Sequence, residues 1–145
     1  MATALIMPTT GNTVTGTATF QLQVGGSDVE LTVELADCPE GDHGIHIHEM
    51  GDCSNDGAMT GTHWNPTQVD HGDFGATPSH AGDLGNITCA SDGVGSLTRA
   101  SDRWTLGGPP TTNVINRAII LHADPDTFGP PTGQAGTPIA CGAID

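Results

Sequence analysis

Apolar and polar residues alternate in short stretches along the whole chain, and turns rich in Gly, Asn and Asp separate these stretches. In residues 13–24 every second position from Val14 to Val24 is apolar or glycine. A period of two is typical of a β-strand with one buried face, because successive side chains point to opposite faces. No window shows the sustained period of an amphipathic helix. The pattern therefore predicts antiparallel β-structure.

The same criteria predict about eight strands, and Thr105 begins a further short candidate. The strands are expected at residues 2–7, 13–24, 29–35, 44–49, 84–89, 94–99, 114–122 and 139–144. Residues 50–82 and 123–138 lack a strand pattern, and irregular segments of this length inside a compact domain are usually functional. We therefore expect an all-β fold, an eight-stranded Greek-key sandwich or flattened barrel with two long functional loops, as one domain over residues 1–145.

The charge balance excludes one class of partner. The chain has 17 acidic residues, three arginines and no lysine, which gives a formal net charge of -14. Nucleic-acid binding needs a basic face, so we expect no nucleic-acid partner. No segment approaches the roughly 20 apolar residues that span a membrane, so we expect no membrane insertion. The acidic surface is by itself typical of high solubility or of life in high salt.

Four cysteines allow three pairings, and none of them forms a CxxC motif. Disulfides are therefore favoured over a zinc ribbon or a thioredoxin-type site. Disulfides persist in oxidising compartments, which predicts an extracellular or periplasmic location, with the cytoplasm as the alternative. The first ten residues have neither the basic nor the apolar part of a signal peptide, so we expect a mature chain.

The histidines are the candidate chemistry. On a strand His46 and His48 point to the same face and can bind one metal ion. Such a pair also often occurs by chance on an exposed surface. Three further imidazoles precede Asp83, a donor set that suits zinc, and scattered loop histidines are the alternative. His122 ends an apolar segment and by itself fits a buried structural histidine. The seven histidines are His43, His46, His48, His63, His71, His80 and His122.

Four segments resemble the copper/zinc superoxide dismutases: residues 44–53 (GIHIHEMGDC), 63–66 (HWNP), 80–86 (HAGDLGN) and, in part, 136–142. The resemblance covers essentially the whole chain and implies copper and zinc as cofactors. It implies roles for eight residues: copper ligands His46, His48, His63 and His122, zinc ligands His63, His71, His80 and Asp83, and Asp126 as the carboxylate that links a copper-side and a zinc-side histidine. His43 resembles a structural histidine of the family and is not expected to bind metal.

The resemblance implies dismutation of the superoxide anion, with His63 bridging both metals and acting as the catalytic proton donor. It also implies a disulfide between Cys53 and Cys141. Cys38 and Cys89 lie outside the family pattern. We expect a second disulfide between them, and two buried free thiols are the alternative.

One position departs from the family pattern. The family carries an arginine beside copper that guides the anion, whereas this chain has Pro138 there, and residues 123–140 contain no Lys or Arg. We therefore expect weak electrostatic guidance, a low rate, and a rate that rises with salt. A non-catalytic copper/zinc binding or storage protein on the same scaffold is the main alternative, and a structural module that binds only zinc is another. The sequence leaves open whether the chain forms a homodimer.

Overall fold

The alternating segments form eight β-strands in a computed structural model that describes residues 1–145. The only helical element is a single 3₁₀ turn at Ala58–Thr60, inside the first long loop. No helix in the structure has the length and apolar character needed to cross a membrane. The strands are β1 (Ala2–Pro8), β2 (Thr15–Leu22), β3 (Val29–Ala36), β4 (Gly41–His48), β5 (Asp83–Cys89), β6 (Gly95–Ser101), β7 (Ala118–His122) and β8 (Pro138–Ala143).

The strands close into a barrel in the order β1-β2-β3-β6-β5-β4-β7-β8, and every pairing is antiparallel. β3 lies beside β6 and β4 lies beside β7, so the chain crosses the barrel ends twice, as in a Greek key. β1 closes the barrel against β8, where Met7 pairs with Cys141. The predicted all-β Greek-key architecture is confirmed.

The strand boundaries differ from the prediction mainly around residues 105–117. The segment expected as a strand from residue 114 becomes extended only at Ala118, because Asn116 adopts a left-handed backbone with φ 68°. The strand expected at Thr105 is a single bridge to Asn113. β4 begins at Gly41, three residues earlier than expected.

β4 is buried on both faces, and this places the candidate site. Ile45 and Ile47 are completely buried in the main hydrophobic core, which also holds the edge-to-face pair Phe20 and Trp104. Because side chains alternate along a strand, His46 points away from that core. The two long loops cover that opposite face, so the site lies between the barrel wall and the loops.

Candidate metal centre

All eight side chains for which the sequence predicts a role at a metal site lie in one buried cluster. Each of these residues, taken whole, is at most 7% exposed. β4 supplies two histidines and β7 ends in a third, while the loop of residues 49–82 supplies three more. Asp83 opens β5, and Asp126 follows β7 in the second long loop. The cluster thus joins residues that are up to 80 positions apart in the chain.

The strand group consists of His46, His48 and His122 with the neighbouring His63. Three of its rings are held in place by a hydrogen bond from the nitrogen that faces away from the centre. The Nε2 of His46 donates to Asp126 Oδ2 at 2.7 Å, and the Nδ1 of His48 donates to the Gly61 carbonyl at 3.1 Å. The Nδ1 of His122 donates to the Gly136 carbonyl at 3.0 Å. Each ring therefore presents its other nitrogen, unprotonated, to the centre.

Those inward nitrogens have no partner in the protein. They are His46 Nδ1, His48 Nε2 and His122 Nε2. One donor atom from each member of the strand group lies within 4.8 Å of the others. A buried polar atom without a partner costs about 1–3 kcal/mol, and a metal ion bound here would remove that cost. Imidazole nitrogens suit copper as well as zinc, so the donor set fits the copper that the resemblance implies.

The loop group consists of His63, His71, His80 and Asp83. The Nδ1 atoms of the three histidines lie 3.3, 2.8 and 3.2 Å from the same oxygen, Asp83 Oδ1. A tetrahedral zinc site with bonds of about 2.0–2.1 Å has edges of about 3.3 Å, so these distances fit zinc. The other oxygen of Asp83 accepts from the backbone N–H groups of Gly72 and His80, which aims Oδ1 at the histidines.

His63 and Asp126 connect the two groups in different ways. The His63 ring is stacked on the His46 ring, with 3.8 Å between centroids, while its Nδ1 faces Asp83. Asp126 accepts from the Nε2 of His46 and, at 2.9 Å, from the Nε2 of His71. One ring and one carboxylate therefore tie the strand group to the loop group.

Asp126 is itself held tightly. Its backbone N–H donates to the Asn86 side chain at 2.7 Å, and Asn86 donates back to its carbonyl at 3.1 Å. Gly133 packs against the carboxylate with φ 75°, and a Cβ there would lie 1.7 Å from Asp126 Oδ1. The glycine is required both by its backbone conformation and by this close approach. Partners of this kind fix the orientation of ligand rings.

In the protein without metal, burial lowers the pKa of His80 as it does for the strand group, whereas the pKa of His71 is raised. Burial lowers the pKa of His46 and His48 to about 3 and that of His122 to about 4, so these rings are neutral and ready to bind metal. Burial also opposes charge on His71, but its bonds to Asp126 and Asp83 outweigh burial and raise its pKa to about 9. Zinc binding at Nδ1 would therefore release a proton from His71.

Both carboxylates stay ionised in this environment. Burial opposes their charge, but close contact with the His63 and His71 rings holds the pKa of Asp83 far below its usual range. Bonds from His46 and His71 likewise outweigh burial and lower the pKa of Asp126. Two fixed negative charges therefore sit among the histidines, which favours cations in the cluster.

Comparison with known proteins agrees with this geometry. The sequence matches the family model for copper/zinc superoxide dismutase over residues 14–144. The chain belongs to the copper/zinc superoxide dismutase family. This family binds copper and zinc. In this member the strand group, and a second set of donor atoms from His46, His63, His71 and Asp83, could each hold a metal ion.

A solved structure of the same fold supports the assignment. The crystal structure of the clock protein EA4 superimposes with a TM-score of 0.86 at 34% sequence identity. The match covers 99% of this chain and 92% of EA4. The name of EA4 refers to a clock and not to a reaction, so this likeness bears on fold and family and leaves activity aside.

Two disulfides flank the centre of this dismutase-family chain. Cys53 is bonded to Cys141 and ties the first long loop to β8, and Cys38 is bonded to Cys89 at the other end of the barrel. His43 lies close to the second disulfide. Both His43 nitrogens face carbonyl oxygens, those of His122 at 2.9 Å and Pro39 at 2.8 Å. His43 thus lies outside both the strand group and the loop group, and it supports the backbone of His122.

Two cavities reach the centre, and neither is lined by a Lys or Arg. A cavity of about 210 Å³ borders His48, His63 and His122, and its rim carries Thr132 and Gln134. A second cavity of about 470 Å³ borders His63, His71 and His80, and its rim carries Glu49 and Asp70. Pro138 pairs with His122 across β7 and β8, so residue 138 lies next to the strand group without bringing a charge.

The groups that orient the rings were not predicted from the sequence. The carbonyls of Gly61 and Gly136 accept from His48 and His122, and Asn86 holds Asp126. A backbone carbonyl has no residue signature, so the first two cannot be recognised from sequence. Asn86 lies inside the 80–86 segment that resembles the family, and that position was its only signal.

Proposed function

We propose that this chain dismutates superoxide, converting two superoxide ions and two protons into dioxygen and hydrogen peroxide. The observation that carries the proposal is that His63 belongs to both the strand group and the loop group. Its Nδ1 is 3.3 Å from Asp83 Oδ1 in the loop group, and its ring also belongs to the strand group. A single imidazole between two buried donor sets supports a pair of metals that share a ligand.

In this proposal copper is held by His46, His48, His63 and His122, and zinc is held by His63, His71, His80 and Asp83. Copper, when bound, supplies one-electron exchange with superoxide in both directions, and zinc supplies a fixed positive charge beside His63. The protein's own contribution is orientation. Asp126, Gly61 and Gly136 each hold an outward N–H, which keeps the inward nitrogens of the strand group deprotonated.

His63 is proposed as the catalytic proton donor. Its Nδ1 faces the loop group, which leaves Nε2 as the other nitrogen of the ring, and the residue lines the smaller cavity. Nε2 takes up a proton from solvent in one half of the cycle and donates it to the reduced product in the other half. Imidazole suits this role because its ordinary pKa lies near neutral pH.

We propose that the protein's charges do little to attract the superoxide anion to the centre. The chain has a net charge of -14, and its three arginines are engaged elsewhere: Arg99 donates to Leu84, Arg103 to Ser79 and His80, and Arg117 to Asn113, Glu49 and Pro110. All of these acceptors are backbone carbonyls. The negative electrostatic field of the protein lowers the association rate of an anion, and salt screens this field. We therefore expect turnover below the diffusional limit.

Two disulfides support an extracellular or periplasmic location, because such bonds persist in oxidising compartments. A cytoplasmic location is the alternative. Either location is compatible with the proposed substrate, a small diffusible anion.

The test is metal analysis combined with superoxide dismutation at low and moderate ionic strength. The proposal predicts about one copper and one zinc per chain after loading, and a rate per bound copper that rises as salt is added. A copper-loaded protein with no dismutation above free buffer would contradict it.

A second function has one observation in its favour: no cationic side chain lines either cavity. A protein that binds or stores copper and zinc on the same scaffold needs no anion guidance. Full metal occupancy with negligible activity per copper would support storage. Zinc binding without copper after copper loading would support a zinc-only structural module.

A further inference from the structure

The larger cavity differs from the smaller one in the charge of its rim. Its inner wall includes the rings of His63, His71 and His80, whose Nδ1 atoms all meet Asp83. Two of these Nδ1 atoms, on His63 and His80, are buried and have no hydrogen-bond partner. The acidic residues of this cavity lining, Glu49 and Asp70, lie on the exposed surface. The smaller cavity has no acidic side chain in its lining.

Neither carboxylate is tied to a neighbouring side chain. No salt bridge involves Glu49 or Asp70, and neither side chain takes part in a hydrogen bond. Arg117 lies near Glu49 but donates to its backbone carbonyl and stacks on Trp64 at 4.0 Å. Glu49 also packs against Gly61, where a Cβ would lie 2.7 Å from Oε2. Because Glu49 lines the larger cavity and Gly61 lines the smaller one, the Glu49 charge lies at the boundary between the two cavities.

We propose that the larger cavity is the entry route for divalent metal ions, with Glu49 and Asp70 as the residues that attract the ion before the loop group binds it. The proposal rests on the zinc site proposed above and adds how the site is filled. A cavity with carboxylates at its rim and the ionised Asp83 behind its histidine wall concentrates cations and repels anions. The same field that hinders superoxide would speed metal uptake.

The test is the rate of Zn²⁺ uptake by the metal-free protein, followed by stopped flow with a chromophoric zinc chelator. The variant Glu49→Gln/Asp70→Asn should take up zinc roughly 3- to 10-fold more slowly at low ionic strength, and the difference should shrink at high salt. The final zinc content should remain one per chain, because neither residue belongs to the proposed zinc ligands.

The matched control is Glu34→Gln/Glu40→Gln, which removes two exposed charges on β3 and in the loop that follows it. The control should take up zinc at the wild-type rate. Equal slowing of both variants would show an effect of net charge alone and would overturn the proposed entry route. Unchanged uptake in the first variant would overturn it as well.

The wild-type protein provides an independent readout if the first variant does not fold. Zinc uptake should slow as salt is added, opposite to the expected response of superoxide turnover. Uptake that is independent of salt would overturn the route while leaving the zinc site intact. A metal-free protein that binds no zinc at all would overturn the zinc site itself, and the entry route with it.

Discussion

At the scale of single residues, the centre depends on which nitrogen of each ring is already occupied. Asp126 and the two carbonyls of Gly61 and Gly136 take the outward N–H groups. The inward nitrogens are thereby fixed as acceptors, a state that an isolated imidazole adopts only part of the time. The protein thus fixes which nitrogen of each of these rings is left without a partner.

Asp126→Asn should weaken metal binding at both groups about 10–100-fold. His46 and His71 both donate Nε2–H to this carboxylate, whereas an amide offers one acceptor and turns an N–H₂ group toward the other ring. Competition with chelators of known affinity measures the loss. Asp124→Asn, an exposed neighbour in the same loop, is the control and should bind normally. Normal binding by the Asp126 variant would show that the link is dispensable.

Pro138→Arg should raise the rate of superoxide dismutation per bound copper several-fold at low salt. Residue 138 pairs with His122, so a cation there stands beside the strand group, and the proline contributes no N–H that would be lost. The variant's rate should fall with salt, whereas the wild-type rate should rise. Kinetics at two ionic strengths check this reversal. Pro138→Gln adds a polar side chain without charge and should behave as wild type; an equal gain with Gln would remove the electrostatic explanation.

At the scale of strands and loops, the Cys53–Cys141 disulfide leads to the centre through a short chain of contacts. Gly57 donates to the Cys53 carbonyl, and Thr60 donates its hydroxyl to the Gly57 carbonyl. The Thr60 oxygen lies 3.2 Å from His48 Nδ1, next to the Gly61 carbonyl that the same nitrogen contacts. The 3₁₀ turn is therefore fixed at one end by the disulfide and at the other by the His48 ring.

The Cys53→Ser/Cys141→Ser variant should lose stability and metal affinity together. The bridge spans 88 residues, and loop-closure entropy sets an expected loss of about 4–5 kcal/mol. Cys38→Ser/Cys89→Ser is the matched control, since its 51-residue loop predicts a similar loss of about 4 kcal/mol away from the turn. Urea unfolding and chelator competition separate the two effects. Equal loss of metal affinity in both variants would show that stability alone controls binding.

The alternation of apolar and polar residues predicted the strands well wherever one face of a strand is buried. β3 extends one residue beyond its predicted end, and β1 likewise. The prediction was wrong before β7, because Val114 and Ile115 are apolar but Asn116 turns the backbone into the left-handed region. The pairing of β4 with β7 joins distant segments through loops that have no period. No local pattern encodes such a contact.

The candidate site was predictable to the extent that its chemistry resides in side chains. Histidines and carboxylates are visible in a sequence, and the eight predicted ones are found together. Their roles as metal ligands stay predictions. The carbonyls that orient His48 and His122 come from glycine positions in irregular loops, where only the folded backbone shows what they contact.

At the scale of the whole molecule, charge is distributed unevenly between surface and interior. All three arginines donate to backbone carbonyls, so their cationic groups serve as structural ties. The surface keeps an acidic excess, and the net charge is -14. The buried cluster instead holds two carboxylates among neutral strand-group imidazoles and a protonated His71. Salt should therefore act mainly on encounters at the surface, whereas pH should act on the buried cluster.

The metal-free protein should lose stability as the pH falls below about 6.5. Burial lowers the pKa of His46 and His48 to about 3 and of His122 to about 4, whereas the unfolded chain titrates near 6.5. These three rings bind up to three more protons in the unfolded chain, so they contribute a slope of up to about 4 kcal/mol per pH unit. His71 does not offset this slope: with a pKa raised to about 9, its contribution is complete below 6.5 and is lost only as the pH rises. Urea unfolding between pH 5 and 7 measures the slope, and His48→Gln should reduce it by about one proton. A free energy of unfolding that stays constant over this range would mean that the buried rings take up protons without unfolding.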